Sequence, residues 1–280
     1  MKVKEYFEDM QQALTEHLSK IGIKITAANI DQYTEEDFAK IRHTGFGASD
    51  SSKILGVNPF PNGTIEDLLN EKVNELTDDT IGAKATVRMG KDLEPFIIDK
   101  FEREMNKFTL VSFRILKPIH MYGREENGLN TNFDGVVFEF GNFIPMEVKT
   151  ISVWGRKHYN FGNALNVYPS QVESIMDEYF KLKPTEIDAT LPTIEESIIR
   201  RAKNAGIPPY YYTQLQQQID FLDAPYGYLL ALDVNDWTIK LFKIVRDNEV
   251  IRILNERAKT LFIKLQVAKG VVIEDDGSDI

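Results

Sequence analysis

Cysteine is missing from the 280-residue sequence. Without thiols the chain cannot form disulfides, thiolate zinc sites or cysteine-ligated iron–sulfur clusters. No run of about 18 apolar residues is present either, so the sequence predicts no transmembrane helix and no membrane partner. Neither a P-loop nor a G-x-G-x-x-G motif occurs, and no other motif supports a small-molecule enzyme.

Positive charge is also scarce, because 33 Lys and Arg face 43 Asp and Glu and the net charge is −10. This balance weakly opposes a nucleic-acid partner, since phosphate binding normally needs a basic footprint. Net charge says little about a single cleft, however, and a basic or metal-filled groove can sit on an acidic protein. The N-terminal stretch "MKVKEYFEDMQQALTEHL" is too acidic and too interrupted for a signal peptide, so a cytoplasmic protein is expected.

The pattern of apolar residues favours one elaborated α/β domain. Residues 1–40 are predicted to form a helical N-terminal extension, and residues 41–270 a single domain. Strands are predicted over about 108–153, and a charged, proline-broken helical insertion over about 165–205. The acidic tail 271–280 is predicted to be disordered.

The stretch "NFIPMEVKT", residues 142–150, predicts a β-strand after the turn signal "FGN". Successive side chains on a strand point to opposite faces, so Glu147 and Lys149 share one face. Asp134, in "NFDGVV", lies at the start of the preceding predicted strand. If these strands pair as a hairpin, Asp134 and Glu147 could converge at one end of the sheet.

Two converging carboxylates repel each other unless something holds them together, and a hard divalent cation does so well. Lys149 beside them could orient or deprotonate an attacking water, or stabilise charge on a phosphate. The alternative is a surface hairpin in which Glu147 and Lys149 form an exposed ion pair of little energetic value.

A further acid, Glu94 in "GKDLEPF", lies in a predicted helix over about 89–107. Helical spacing places it on the apolar face, with Ile97 and Ile98 one turn later. A buried carboxylate is costly unless it is paired or binds a metal. The alternative is a partly exposed glutamate in the first helical turn, where Pro95 would also fit.

Five motifs occur in order between residues 42 and about 232: "RHTGFGAS", "GKDLEPF", "NFDGVV", "MEVKT" and "YYYTQLQ". Each is common alone, but their conjunction in this order is specific. The chain resembles the YqaJ-like viral recombinase family, whose best-known relative is the lambda phage exonuclease. The family belongs to the PD-(D/E)xK nuclease superfamily, close to the RecB nuclease domain. The resemblance implies an α/β (α+β) fold with a restriction-endonuclease-like core: a mixed central sheet flanked by helices, with helical additions.

The resemblance assigns a metal role to four matching positions. Asp134 and Glu147 match the family's metal-binding acids. Glu94 matches the acid of the motif helix, which contributes to the metal site, and the carbonyl of Val148 matches an extra ligand. The implied cofactor is Mg²⁺ or Mn²⁺, with two ions bound.

Other positions match family residues that position the attacking water or bind the DNA. Lys149 would position the water, and Gln214 of the Q-x-Q motif would help near Lys149, with Gln216 as a second candidate helper. Arg42 and Ser49 match the residues that hold the 5′-phosphate of a DNA end. The same glycine- and serine-rich loop independently suits an anion, because its backbone N–H groups can turn toward one before a helix begins.

These correspondences imply a metal-dependent deoxyribonuclease that degrades linear double-stranded DNA from 5′ ends and leaves 3′ single-stranded tails. The implied partners are double-stranded DNA ends, a single-strand annealing recombinase protein and further copies of the chain in a trimeric ring. The implied setting is the cytoplasm of a bacterial host, with a phage or prophage gene. The alternatives are a restriction-like or structure-specific endonuclease and a catalytically inactive DNA-binding protein.

Overall fold

In the computed structural model, residues 3–61, 63–74, 85–107, 113–167 and 193–271 are described. Their helices are α1 Val3–Lys20, α2 Glu35–Arg42, α3 Ser51–Ile54, α4 Ile65–Val73, α5 Ala85–Asn106, α6 Ile194–Ala205, α7 Pro209–Phe221 and α8 Asn248–Ala268. Their strands are β1 Lys24–Ala27, β2 Phe46–Gly47, β3 Ile115–Leu116, β4 Met121–Gly123, β5 Leu129–Thr131, β6 Gly135–Glu139, β7 Asn142–Ile151, β8 Leu165–Val167, β9 Tyr226–Asp233 and β10 Thr238–Val245.

Six of these strands form a mixed central sheet in the order β3-β6-β7-β9-β10-β8. Strands β7 and β9 run parallel, whereas the other four neighbouring pairs run antiparallel. The inner strands are buried along most of their length, and Leu229, Leu230 and Leu232 of β9 are fully buried. Such near-continuous burial is typical of strands covered on both faces. The sheet therefore holds β7, the strand of "MEVKT", in the middle of the core.

The predicted hairpin between β6 and β7 is confirmed. Phe140 and Gly141 form a two-residue connection, and their φ angles of 49° and 80° are both positive. Two positive φ angles are the signature of the type I′ turn, whose twist matches that of the flanking strands. The turn fixes the register, in which Glu139 pairs with Asn142 and Gly135 with Met146.

A second sheet of four strands, ordered β1-β4-β5-β2, was not predicted. Its strand Lys24–Ala27 lies in the region predicted to be wholly helical, residues 1–40, so that prediction is wrong there. The strand exists because it pairs antiparallel with Met121–Gly123, almost a hundred residues along the chain. Local periodicity carries no signal for such a distant pairing.

The predicted insertion over 165–205 and the tail over 271–280 fall largely outside the described residues. At the edges of the insertion, strand β8 pairs with β10, and helix α6 is capped by Thr193 and ends at Gly206, whose φ is 84°. Asp247 caps the start of helix α8, and its carboxylate accepts from the Val250 N–H at 3.2 Å. Among the described helices, none combines the length and the hydropathy that crossing a bilayer requires.

Candidate active site

The side chains of Glu147 and Lys149 lie on the same face of β7 and contact each other directly. Glu147 is almost fully buried, at 1% exposure, and Lys149 reaches partly into solvent. The surface-hairpin alternative is therefore excluded, because β7 is an inner strand and its acid is in the core. A buried carboxylate beside an ammonium is a strong electrostatic arrangement, in contrast to an exposed pair.

Asp134 comes directly before β6, and the hairpin register places it beside the same part of β7. Its Oδ2 accepts a hydrogen bond from the Val148 N–H at 2.8 Å. The same oxygen lies 3.6 Å from Nζ of Lys149. The ammonium of Lys149 thus faces both carboxylates, and the backbone of the strand holds Asp134 in place.

Helix α5 packs on β7 and carries Glu94. The helix begins at Ala85, so Pro95 lies inside it and the first-turn alternative for Glu94 is excluded. Oε1 of Glu94 lies 3.6 Å from Nζ of Lys117. Burial and then the charge of Asp134 raise the pKa of Glu94, against the opposing effect of Lys117 and Lys149. Glu94 therefore belongs to the same electrostatic cluster.

Helix α7 covers the acid with two amides. Gln214 Nε2 donates to Oε1 of Glu147 at 2.5 Å, and Gln218 Nε2 donates to Oε2 at 2.7 Å. Residues four apart share one face of a helix, which explains why this pair reaches one carboxylate together. Oε1 of Gln218 is buried and has no hydrogen-bond partner among the described residues.

Gln216 points elsewhere, because it lies two positions from either amide and so on another face of the helix. Its Nε2 donates to the Val245 carbonyl at 2.7 Å, and its Oε1 accepts from the Asp247 N–H at 2.8 Å. A helper residue would have to lie beside the Glu147–Lys149 pair. The structure does not bring Gln216 there. Gln218, which the motif comparison did not select, occupies that place instead.

The pKa values of both Glu147 and Lys149 are shifted from their ordinary values. Burial and the charge of Asp134 raise the pKa of Glu147 to about 7, although Lys149 and Gln218 oppose the rise. For Lys149, burial alone would lower the pKa, but Glu147 and Asp134 outweigh burial and raise it. Perturbed carboxyl and ammonium groups held together are a common mark of a reactive site.

Comparisons with known proteins decide the family. Residues 37–221 match the model of the YqaJ-like viral recombinase domain, which is well over half of the chain. The chain belongs to the YqaJ-like viral recombinase domain family. No curated protein matches it.

The YqaJ-like domain also resembles solved structures. It superposes on LHK-Exo in complex with dAMP with a TM-score of 0.52 at 14% identity, covering 85% of this chain and 95% of that chain. An alkaline exonuclease, LHK-Exo from Laribacter hongkongensis, gives a TM-score of 0.48 at 14% identity, covering 84% and 94%. At such low identity the first match establishes the fold, a mixed α/β arrangement with a restriction-endonuclease-like core, as the sequence predicted.

The side chains of this YqaJ-like domain fit a hard divalent cation in their chemistry. Asp134, Glu147 and Glu94 supply carboxylate oxygens, and burial followed by the charge of Asp134 raises the pKa of both Glu94 and Glu147. Magnesium and manganese prefer such oxygen donors. Within the described part of the chain, no three acidic or histidine side chains are already gathered closely enough to enclose an ion. Lys149 serves in this structure as the cation beside Asp134 and Glu147.

The loop predicted to hold a 5′-phosphate connects α2 with α3. Arg42 ends α2 and Ser49 occupies the turn Ala48–Asp50, and both side chains are exposed. The turn packs against α7, the helix that carries Gln214 and Gln218. The structure therefore places the turn of Ser49 against the helix that carries the two amides.

A buried ion pair fixes this loop. Nζ of Lys72 lies 2.9 Å from Oδ2 of Asp50, with side-chain exposures of 1% and 7%. Nζ of Lys72 also donates to the Arg42 carbonyl at 2.8 Å, and the Gly47 N–H donates to Asp50 Oδ2 at 2.9 Å. Asp50 directly follows the motif that ends at Ser49, and Lys72 also lies outside the five motifs. The apolar periodicity of α4 gave no reason to single out this lysine.

Proposed function

We propose that this chain is a Mg²⁺- or Mn²⁺-dependent exonuclease that hydrolyses linear double-stranded DNA from 5′ ends and leaves 3′ single-stranded tails. The observation that carries the proposal is the buried contact of Glu147 with Lys149, beside Asp134. An acid of raised pKa and a lysine on one strand face suit the hydrolysis of a phosphodiester. Family membership and the likeness to LHK-Exo in complex with dAMP support the same reaction.

Each residue has a distinct task in this proposal. Asp134, Glu147 and the carbonyl of Val148 hold the metal, and Glu94 contributes from α5. A bound divalent ion would supply an activated water and stabilise charge on the attacking and leaving oxygens, with two ions doing so on both sides. Two amides keep the Glu147 carboxylate in one orientation, because they occupy one lone pair on each of its oxygens.

Lys149 acts on the water and the phosphate. Its raised pKa keeps it protonated at neutral pH, so in this state it donates hydrogen bonds and cannot accept a proton. Lys149 therefore orients the attacking water by donation and neutralises charge that develops on the phosphate oxygens. Release from Glu147 would be needed before the lysine could itself take a proton.

Arg42 and Ser49 bind the terminal 5′-phosphate. A guanidinium can donate two parallel hydrogen bonds to a phosphate, and a serine hydroxyl can donate a third. Anchoring the end in this way would align the following phosphodiester with the catalytic pair and favour linear over circular DNA. The 3′-tailed product would pass to a single-strand annealing protein.

The remaining parts of the proposal concern setting and assembly. The enzyme would act in the cytoplasm of a bacterial host on DNA ends produced by a phage or prophage. The nuclease domain would extend over residues 41–270, with the first 40 residues as an extension. A ring of three copies would enclose the duplex.

The decisive experiment uses purified protein, Mg²⁺ and three DNAs: a linear duplex with 5′-phosphates, the same duplex with 5′-hydroxyls, and a closed circle. Wild type is compared with Lys149→Ala and Glu147→Gln. Matched controls are Lys24→Ala and Glu125→Gln, which disturb an exposed lysine–glutamate pair on the second sheet. Circular dichroism verifies that all variants are folded.

Wild type should degrade the two linear substrates, faster with the phosphate, and leave the circle intact. Lys149→Ala and Glu147→Gln should each lose at least about 100-fold in rate, as expected when a group that positions a proton or a metal is removed. Cleavage of the circle would favour an endonuclease instead. Retained activity in either site variant, or no cleavage with Mg²⁺ or Mn²⁺, would overturn the proposal.

A further inference from the structure

An unbroken series of aromatic rings leads from the catalytic lysine to solvent. Nζ of Lys149 lies 5.5 Å from the centroid of the Tyr211 ring. The rings of Tyr211 and Tyr210 have centroids 4.4 Å apart, and those of Tyr210 and Phe60 lie 5.3 Å apart. Phe60, at the outer end, is 57% exposed. These side chains therefore connect the reactive centre with a hydrophobic ring presented to water.

The backbone around Phe60 holds that ring outward. Pro59 and Pro61 flank it, which fixes the φ angle on either side and disfavours the helical conformation at Phe60 itself. The Phe60 N–H donates to Oδ1 of Asn58 at 2.9 Å. A Cβ on Gly63 would meet the Phe60 carbonyl oxygen at 2.7 Å, so glycine alone permits this close return of the chain. Little backbone freedom is therefore left to lose when a ligand stacks on the ring.

An exposed phenylalanine by itself needs no explanation, since single apolar residues are common on protein surfaces. Phe60 differs because of what lies behind it. Tyr210 and Tyr211 begin α7, the helix that also carries Gln214 and contacts the turn of Ser49. Phe60 thus contacts the first turn of the helix that packs against the turn of Ser49 and that reaches Lys149 through Tyr211.

We propose that Phe60, backed by Tyr210, is a stacking surface for a nucleobase of the strand whose phosphate reaches Lys149. Each base has a flat π-face, so an aromatic platform accepts any sequence, as an enzyme that degrades DNA ends without sequence preference requires. Tyr210 and Tyr211 would then support the platform by packing behind it. This inference rests on the proposed function, since it assumes a DNA strand at the Glu147–Lys149 pair.

The test measures binding without chemistry. A duplex with a 2-aminopurine base at successive positions near its 5′ end is titrated with protein in EDTA, and stacking is read as quenching of the probe. Wild type should quench the probe at one or two positions. Phe60→Ala should remove that quenching and weaken binding about 5- to 150-fold, the range for loss of one base–aromatic stack. Phe60→Trp should restore both signals.

Phe138→Ala is the matched control. Phe138 is 50% exposed and contacts another phenylalanine ring, Phe143, at 5.0 Å, much as Phe60 contacts Tyr210. It pairs with β7 six residues before Lys149, at about 3.3 Å per residue, which places it some 20 Å away. Quenching and affinity should be unchanged in this variant.

The outcomes separate the inference from the proposed function. If Phe60→Ala binds and quenches like wild type, the platform is wrong, whether or not the protein cleaves DNA. If Phe60→Ala has a lower melting temperature but quenches the probe like wild type, Phe60 serves only in packing and the platform is again wrong. Suppose instead that the wild-type protein cleaves no DNA with either metal, but quenches the probe, and that Phe60→Ala abolishes this quenching. The stacking surface then stands and the exonuclease proposal fails.

Discussion

Replacing Asp50 with asparagine tests how the loop that carries Ser49 is held. The substitution preserves the shape of the side chain and removes its charge. In the folded protein it leaves the Lys72 ammonium buried at 1% exposure with the Arg42 carbonyl as its remaining close partner. A buried charge without a counter-charge is among the costliest defects that one substitution can create.

The expected loss follows from the two contacts of Asp50 Oδ2, with Lys72 Nζ and with the Gly47 N–H, both at 2.9 Å. Breaking a buried ion pair by removing one partner costs about 3–5 kcal/mol. Asparagine can still accept one hydrogen bond, and the Arg42 carbonyl still solvates the ammonium. The free energy of unfolding should therefore fall by an amount near the lower limit, about 3 kcal/mol.

Urea unfolding, monitored by circular dichroism, measures this loss of unfolding free energy. A double-mutant cycle shows whether the loss comes from the Asp50–Lys72 ion pair. Lys72→Met alone should also destabilise the protein, because it leaves Asp50 buried and unpaired. The double variant should regain most of the loss, since replacing both charges by uncharged groups removes the unpaired one. A loss below about 1 kcal/mol for Asp50→Asn, or a double variant no better than the single ones, would refute the reasoning.

The pH dependence gives a further check. Burial alone would raise the pKa of Asp50, but the charge of Lys72 and its hydrogen bond outweigh burial and lower it. A carboxyl with a lowered folded-state pKa stabilises the fold above its unfolded value of about 4, and this contribution is lost as the pH falls through the folded-state pKa. The difference between wild type and Asp50→Asn should therefore be constant above about pH 5 and shrink below pH 4.

Two further predictions separate the glutamines of α7. Gln218→Leu should lower kcat of DNA cleavage about 10- to 100-fold with little change in KM, because it frees the Glu147 carboxylate to rotate. A wild-type kcat would show that Gln218 has no positioning role. Gln216→Leu should lower the free energy of unfolding by about 1–3 kcal/mol, because it leaves the Val245 carbonyl and the Asp247 N–H without this partner. Its specific activity should be that of wild type, and a loss comparable to that of Gln218→Leu would contradict the assignment.

The convergence of Asp134, Glu147 and Lys149 could be predicted because it depends on local rules. Strand alternation sets the face, and a short turn sets the register between neighbouring strands. Both rules act within twenty residues, and the observed pairing of Gly135 with Met146 follows them. The side chains that such a hairpin brings together can therefore be predicted without knowledge of the remaining fold.

The second amide beside Glu147 could not be identified in this way, because the motif pointed to Gln216 and the structure places Gln218 there. The sequence indicates one buried stripe on α7, but the structure buries all three consecutive residues Gln216, Gln217 and Gln218. A helix buried on several sides has several partners, and periodicity does not say which partner lies on which side. The short strands β1 and β8 escaped prediction for a related reason, since both depend on pairing with distant segments.

The connection from β7 to its parallel neighbour β9 has a consequence for biosynthesis. The two amides that donate hydrogen bonds to Glu147 lie 67 and 71 residues after it, and β9 ends only at Asp233. A nascent chain therefore carries Glu147 and Lys149 long before it carries the helix and strand that enclose them. The reactive centre is completed only after residues 214–233 have been synthesised, so a product of synthesis interrupted before them lacks a finished centre.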